Sequence, residues 1–245
     1  MLTNRNQYIA GCFHLVSLAG GAAVNRTEPK GTGPRMNDYR PTFLASDLEG
    51  VLIPEIWVAV AEKTGIKELS LTTRDIADYD ELMGMRLRVL AEHKLTLQDV
   101  QTVIGTMEPL PGAVELINWI RERTRFVIIT DSFYDFLVPF NAKLGYPTIF
   151  AHSLKIDRQG SIVGYQLRLE MGKRKAVRAL KELGFRVMAF GDSYNDTAML
   201  DEADLGAFYK PPANVVQDFP QFPVANDYTG LKALANEFLR MPMLV

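Results

Sequence analysis

From position 41 onward, short apolar runs alternate with segments whose apolar residues recur every three or four positions. The runs at 42–46, 126–130, 148–151, 186–190 and 205–208 are strand-length, rich in β-branched and aromatic residues, and bounded by polar or glycine-containing stretches. Between them lie helical patterns at 113–123, 133–144 and 173–183. The second carries a stripe of Phe133, Phe136, Leu137, Phe140 and Leu144, and the third one of Ala176, Val177 and Leu180. Residues 157–166 read as a hairpin. This alternation predicts an α/β fold, a Rossmann-like parallel sheet with helices on its faces. Between the first strand and the second, about eighty residues contain no convincing strand and show helical patterns at 56–64, 79–93 and 97–106. They are expected to form a helical cap. Open α/β sheets bind ligands at the carboxyl ends of their strands, so an insertion after the first strand sits over the site. The expected division is a core of residues 41–54 and 110–245 with a cap of residues 55–109.

The first forty residues read differently, being glycine-rich and then punctuated by proline and polar residues. The mild apolar stretch from Ile9 to Val24 is broken by His14 and several glycines, which argues against a secretory signal. The tetrad ending in Cys12 resembles a lipoprotein cleavage box, but only polar residues precede it where an apolar segment should stand. Met36, just ahead of the first strand, would serve as a natural start, so residues 1–40 are expected to be a disordered tail or an artefact of start assignment.

Composition adds exclusions. With 47% hydrophobic and 23% charged residues the chain is of ordinary globular make-up. A net charge of −2 gives no electrostatic footprint for nucleic acid or an anionic membrane surface. One cysteine excludes an internal disulfide and a multi-cysteine zinc site, and makes a reducing, cytoplasmic setting the simple expectation. No apolar run reaches the ~20 residues of a membrane span.

The candidate chemistry gathers at strand ends. The first strand runs into Asp47-Leu48-Glu49-Gly50, two acids one residue apart. Close carboxylates repel unless a cation or a shared proton compensates, so the pair points to a Mg²⁺ site or an acid/base couple, with a polar turn as the bland alternative. The strand at 186–190 ends in Gly191-Asp192-Ser193-Tyr194-Asn195-Asp196, with Asp192 and Asp196 four apart. Lys173 opens a helix, where the dipole disfavours a cation unless an anion is near, and its spacing from Val177 and Leu180 turns it inward. Thr130 closes a strand, and the amides of Asp131 and Ser132 after it could receive phosphate oxygens. His93 and His152 have no partner at ligand spacing and read as structural or exposed, and Trp57 and Met83 as packing.

In order, Asp47-x-Glu49-Gly50, Thr130, Lys173 and Gly191-Asp192-x-x-Asn195-Asp196 resemble the four motifs of the haloacid dehalogenase superfamily of phosphohydrolases, across residues 42 to about 225. Residues 47–57, 72–76 and 191–196, with Phe219-Pro220-Gln221-Phe222-Pro223, are similar to the bifunctional phosphoserine phosphatase/homoserine phosphotransferase group. The resemblance implies the haloacid dehalogenase fold with its cap. It makes Asp47 the nucleophile that forms an aspartyl-phosphate, and Glu49 the general acid and base. Mg²⁺ would be held by Asp47, the backbone carbonyl of Glu49 and Asp192, with Asp196 supporting them, and Thr130, Asp131, Lys173 and Asn195 would bind phosphate. Most phosphatases of this superfamily carry Asp where Glu49 stands.

The same resemblance has Glu55 pair with a substrate ammonium, although an acid at a helix N-terminus is favourable in any case. Arg86 would bind the substrate carboxylate. It shares a face with Leu82, Val89 and Leu90, whereas Arg88 points about 200° away. Arg74 reads as a surface or hinge residue. The implied small-molecule partners are L-phosphoserine and L-homoserine, and a homodimer is left open. Two alternatives stand beside this reading: a phosphatase of the same superfamily acting on another small phosphomonoester, and a non-catalytic phosphorylatable receiver-type module, which would lack both the helical insertion and the Gly191-Asp192 motif.

Overall fold

The computed structural model describes residues 40–240, apart from Arg74 and Ala77. The readings of residues 1–39, and of Arg74, lie outside the described residues. Seven strands form one sheet in the order β4-β3-β2-β1-β5-β6-β7. They are β1 (Thr42–Ser46), β2 (Arg125–Phe133), β3 (Ile149–Ile156), β4 (Ile162–Gln166), β5 (Arg186–Gly191), β6 (Leu205–Tyr209) and β7 (Val224–Ala225). All neighbours pair in parallel except β4, which runs antiparallel to β3 at the edge. This is the α/β architecture expected from the sequence.

Successive residues of the central strands face opposite sides, as the period-two pleat requires. Leu44, Ile128, Met188 and Phe190 pack on one side with α4 (Ala113–Arg121), α5 (Tyr134–Asn141) and α9 (Tyr228–Arg240). Ala45, Val127, Ile129 and Val187 pack on the other with α6 (Gly172–Glu182), α7 (Thr197–Glu202) and α8 (Ala213–Asp218). The first of these cores continues into the insertion through Trp57, Val60, Met83, Val100 and Ile104.

The insertion consists of α1 (Ile56–Thr64), α2 (Tyr79–Glu92) and α3 (Leu97–Thr106) with a 3₁₀ turn at Lys67–Ser70. Its boundaries have local causes. Asp78 accepts from the Glu81 amide at 2.8 Å, and Thr96 with Asp99 closes a reciprocal capping box, interactions worth about 1 kcal/mol each. Gly65, at φ 74°, ends α1 in the left-handed conformation. Inside the fold α3 packs on α5 and α2 against β4.

Three spans differ from the sequence pattern. The hairpin is β3 with β4 around a turn at residues 157–161, so the strand expected at 148–151 runs on to Ile156. That turn is held by the insertion, with the Leu97 amide donating to the Gly160 carbonyl at 2.9 Å. β2 continues past Thr130 to Phe133 because its pairing with β3 resumes after an irregularity between Ile129 and Phe133. The helix expected at 133–144 consequently starts at Tyr134 and contains Pro139.

Candidate active site

Sheet register sets the site. Ser46 at the end of β1 lies level with Ile128 of β2 and Phe190 of β5, so Asp47, Thr130 and Asp192 fall within one residue of the same level along three adjacent strands. The order β2-β1-β5 is also where connections diverge to either side of the sheet, the place such folds open a ligand crevice. After Asp47 the chain turns tightly: Leu52 and Ile53 both donate to the Leu48 carbonyl, at 2.8 and 3.1 Å. Gly50 takes φ +73°, and a Cβ there would stand 2.4 Å from Asp192 Oδ2. Only glycine allows this approach. At Gly191 a Cβ would lie 2.2 Å from Asp196 Cγ.

Lys173, buried in the first turn of α6, reaches Asp47 Oδ1 at 2.9 Å, Asp196 Oδ1 at 2.8 Å and Asp131 Oδ2 at 3.4 Å. Burial alone would discourage its charge, but Asp196, Asp47 and Asp131 hold it well above the ordinary lysine range. Asp131 is likewise subject to burial, yet Lys173 and then His152 bring its carboxyl down to about 2. Asp47 goes the other way: burial first, and then the charges of Asp196 and Asp192, raise it against the pull of Lys173.

Asp47, Asp192 and Asp196 bring ligand oxygens within 4.8 Å of one another. Asp196, completely buried, is already engaged: Lys173 donates to Oδ1, while Oδ2 accepts from the amides of Asp192 at 2.9 Å and Ser193 at 3.1 Å. It therefore fits an organising role behind Asp47 and Asp192. One ammonium cannot neutralise these acids, and a hard divalent cation taking oxygens from one or two carboxylates plus waters suits the residual charge. Such a cation would also favour the anionic form of Asp47.

Glu49 points toward the insertion, its Oε2 accepting the Ile56 amide at the head of α1 at 2.9 Å. Burial and then the neighbouring Glu55 carboxylate push it up to about 7, against the bonds from Ile56 and the Ser132 hydroxyl. Arg86 is buried as its helical phase predicted, while Arg88 is exposed. Its guanidinium lies 4.6 Å over the Trp57 ring and donates to the Leu71 carbonyl at 2.8 Å, and its Nε has no hydrogen-bond partner among the described residues. Desolvation lowers it to about 10. Asp47, Glu49, Glu55, Arg86, Thr130, Asp131, Lys173, Asp192 and Asn195 all line one cleft of about 250 Å³, with Asp196 beneath it. Glu55 stands at the start of α1 without capping it through its side chain, so a capping role does not account for it.

Three placements in this region were not read from the sequence. The Ser132 hydroxyl, rather than only its amide, faces Glu49. Tyr79 lines the cleft and donates to the Asp131 carbonyl at 3.3 Å. His152 is buried beside Asp131, a placement set by the long-range pairing of β2 with β3, which local sequence does not display. His93 is exposed.

A mostly parallel sheet that presents acids from two strand ends to a buried lysine, in a cleft also lined by a helical insertion, defines the class: an open α/β fold with its ligand crevice at the carboxyl ends of the strands. The chain belongs to the haloacid dehalogenase-like hydrolases, whose family model matches residues 43–204. It is similar to phosphoserine phosphatase ThrH of Pseudomonas aeruginosa, 55% identical over 194 residues that cover 79% of this chain and 93% of the relative. It is 53% identical, over 79% of its length and 81% of the relative's, to a phosphoserine phosphatase of Pseudomonas syringae pv. tomato. A crystal structure of phosphoserine phosphatase in apo form shares the fold, with a TM-score of 0.65 at 19% identity over 80% of this chain and 98% of that one. Among the described residues no helix is long and apolar enough to cross a membrane.

Proposed function

We propose that the protein is a Mg²⁺-dependent phosphoserine phosphatase that works through an aspartyl-phosphate on Asp47 and also transfers the phosphoryl group to L-homoserine. Residues 55–109 act as the cap over a core of residues 41–54 and 110–245. The observation that carries the reading is the union, in one cleft, of a phosphoryl end (Asp47, Thr130, Lys173) with an amino-acid end, Glu55 and the buried Arg86. An acid and a guanidinium at that end match the ammonium and carboxylate of an amino acid. The names of the relatives at 55% and 53% identity support the same substrate.

Lys173 and Thr130 hold the phosphate oxygens, and Asp47 Oδ attacks phosphorus in line with the serine oxygen. As that P–O bond breaks, Glu49 gives its proton to the departing oxygen. In the second half Glu49 takes a proton from water, or from the homoserine hydroxyl, whose oxygen attacks phosphorus and restores the Asp47 carboxylate. Asp47, Asp192 and the Glu49 carbonyl would hold Mg²⁺, which would supply charge neutralisation between the anionic nucleophile and the anionic phosphate. The reading makes the protein a cytoplasmic enzyme of serine and threonine biosynthesis.

The test is phosphate release from L-phosphoserine with Mg²⁺ and with EDTA, and in parallel with L-homoserine while assaying O-phosphohomoserine. Mg²⁺-dependent release with product on homoserine is expected. Cleavage of an aryl phosphate without cleavage of phosphoserine would leave the chemistry and remove the substrate. Release unaffected by EDTA would remove the metal.

A further inference from the structure

We infer that His152 is a positioning residue for the phosphoryl end of the cleft, acting through Asp131; the inference rests on the phosphatase reading and deepens it. His152 lies on β3 opposite Phe133, at the point where β2 and β3 resume pairing beyond the irregular stretch that carries Thr130, Asp131 and Ser132. The ring is buried, 6% exposed. Its Nδ1 accepts the Arg168 backbone N–H at 3.0 Å. An imidazole that accepts at one nitrogen carries its proton on the other, so the bond assigns the hydrogen to Nε2. Nε2, which carries that proton, stands 3.7 Å from Asp131 Oδ1, longer than a hydrogen bond but near enough for the N–H dipole to favour the carboxylate.

The contacts make a relay. Arg168 belongs to the connection between β4 and α6, the helix that carries Lys173, so the Nδ1 bond ties that connection to β3. On its other side His152 faces one oxygen of Asp131, while the second lies 3.4 Å from Lys173 Nζ. Lys173 makes shorter contacts with Asp47 and Asp196, at 2.9 and 2.8 Å. With one oxygen drawn toward the His152 Nε2–H, turning the Asp131 carboxylate fully onto the ammonium gives up that interaction. Released, it competes with Asp47 for Lys173 and draws the clamp away from the nucleophile. A misplacement of about 1 Å at such a group costs about 100-fold in rate.

The two ring nitrogens can be separated by substitution. In His152→Gln the side-chain amide nitrogen stands near the place of Nε2 and keeps the donor to Asp131. In His152→Asn the amide oxygen stands near Nδ1 and keeps only the acceptor for Arg168. The expectation is that His152→Asn lowers kcat by about 10- to 100-fold. The loss is equal on L-phosphoserine and on an aryl phosphate, because the phosphoryl end rather than the amino-acid end is disturbed, and His152→Gln restores most of it. The reverse ranking, with His152→Gln impaired and His152→Asn normal, would make His152 a strut for the Arg168 connection alone and overturn the inference.

A measurement on the wild-type protein serves where activity or folding of the variants fails. The chain has three histidines, so the ¹⁵N signals of His152 can be assigned and its tautomer read directly. A ring protonated on Nε2, whose signal moves in Asp131→Asn, is expected; a ring protonated on Nδ1, or one indifferent to Asp131→Asn, refutes the inference. A wild-type protein inactive on every phosphomonoester with an Nε2-protonated, Asp131-sensitive ring would sink the phosphatase reading while leaving the His152–Asp131 contact in place.

Discussion

Gly50→Ala separates the backbone cost of the turn after Asp47 from its chemical purpose. A non-glycine residue at φ +73° pays roughly 1–2 kcal/mol in left-handed strain. For a domain of this size that lowers Tm by about 2–8 °C, at about 2–4 °C per kcal/mol. The new Cβ would also meet Asp192 Oδ2 at 2.4 Å, where ordinary contact begins at 3.4 Å, so the Asp192 carboxylate must retreat by about 1 Å. At a group proposed to hold the cation, that displacement predicts a fall in kcat/KM of about 100-fold and a weaker Mg²⁺ dependence. Gly65→Ala is the matched control. Gly65 has nearly the same φ, +74°, but nothing within 4 Å of a Cβ. It should lose as much Tm and keep its activity. The assay is Mg²⁺ titration of phosphate release with thermal unfolding in parallel. A Gly50→Ala protein with wild-type turnover and Mg²⁺ response would show that Asp192 does not need the space, and the reasoning would fail.

Asp47→Asn should abolish phosphate release while leaving the cooperative unfolding transition in place; near-normal turnover would remove Asp47 as nucleophile. Arg86→Ala should cost about 1.5–3 kcal/mol, roughly 10- to 150-fold in kcat/KM, on L-phosphoserine and far less on an aryl phosphate, and equal losses on both would take Arg86 out of substrate recognition. Glu202, bonded by Arg178 and Arg174, is held down at about 2 against an ordinary value of 4.5. A carboxyl with a depressed folded value stabilises above about 4.5, and the contribution disappears as pH falls toward 2. Glu202→Gln should therefore be slightly less stable than wild type at neutral pH, by a small amount because the pair is solvent-screened. The difference should close between pH 4.5 and 2, and thermal unfolding in which it is constant with pH would refute the assignment.

Legibility followed the range of the interactions involved. β1 and β5 are short apolar runs with an acid at the end, and both elements and their acids could be read locally. The inward turn of Lys173 and Arg86 followed from helical phase, because Val177, Leu180, Leu82 and Val89 fix the buried face. The extension of β2 through Asp131 and Ser132 was hidden, since polar residues at a strand end look like a loop until β3 is placed beside them. α9 buries only Leu231, Ala235 and Phe238, a stripe thin enough to pass for an irregular tail. β7, two residues long, has no period at all. His152 belongs with these: its neighbour Asp131 is remote in sequence and meets it only through sheet pairing.

The central position of β1 has a consequence for the chain while it is being made. β1 is the first of the described strands to be synthesised, yet its two neighbours are β2 and β5, which begin at Arg125 and Arg186. Residue 186 follows Ser46 by 140 positions, which at about 5–20 residues per second is on the order of 7–28 s of translation. For that interval an apolar strand destined for the middle of the sheet has at least one open edge, the condition that invites mispairing between chains. The acids that follow it, Asp47 and Glu49, are solvated and charged in the unfolded chain, and charge flanking an apolar strand opposes such association.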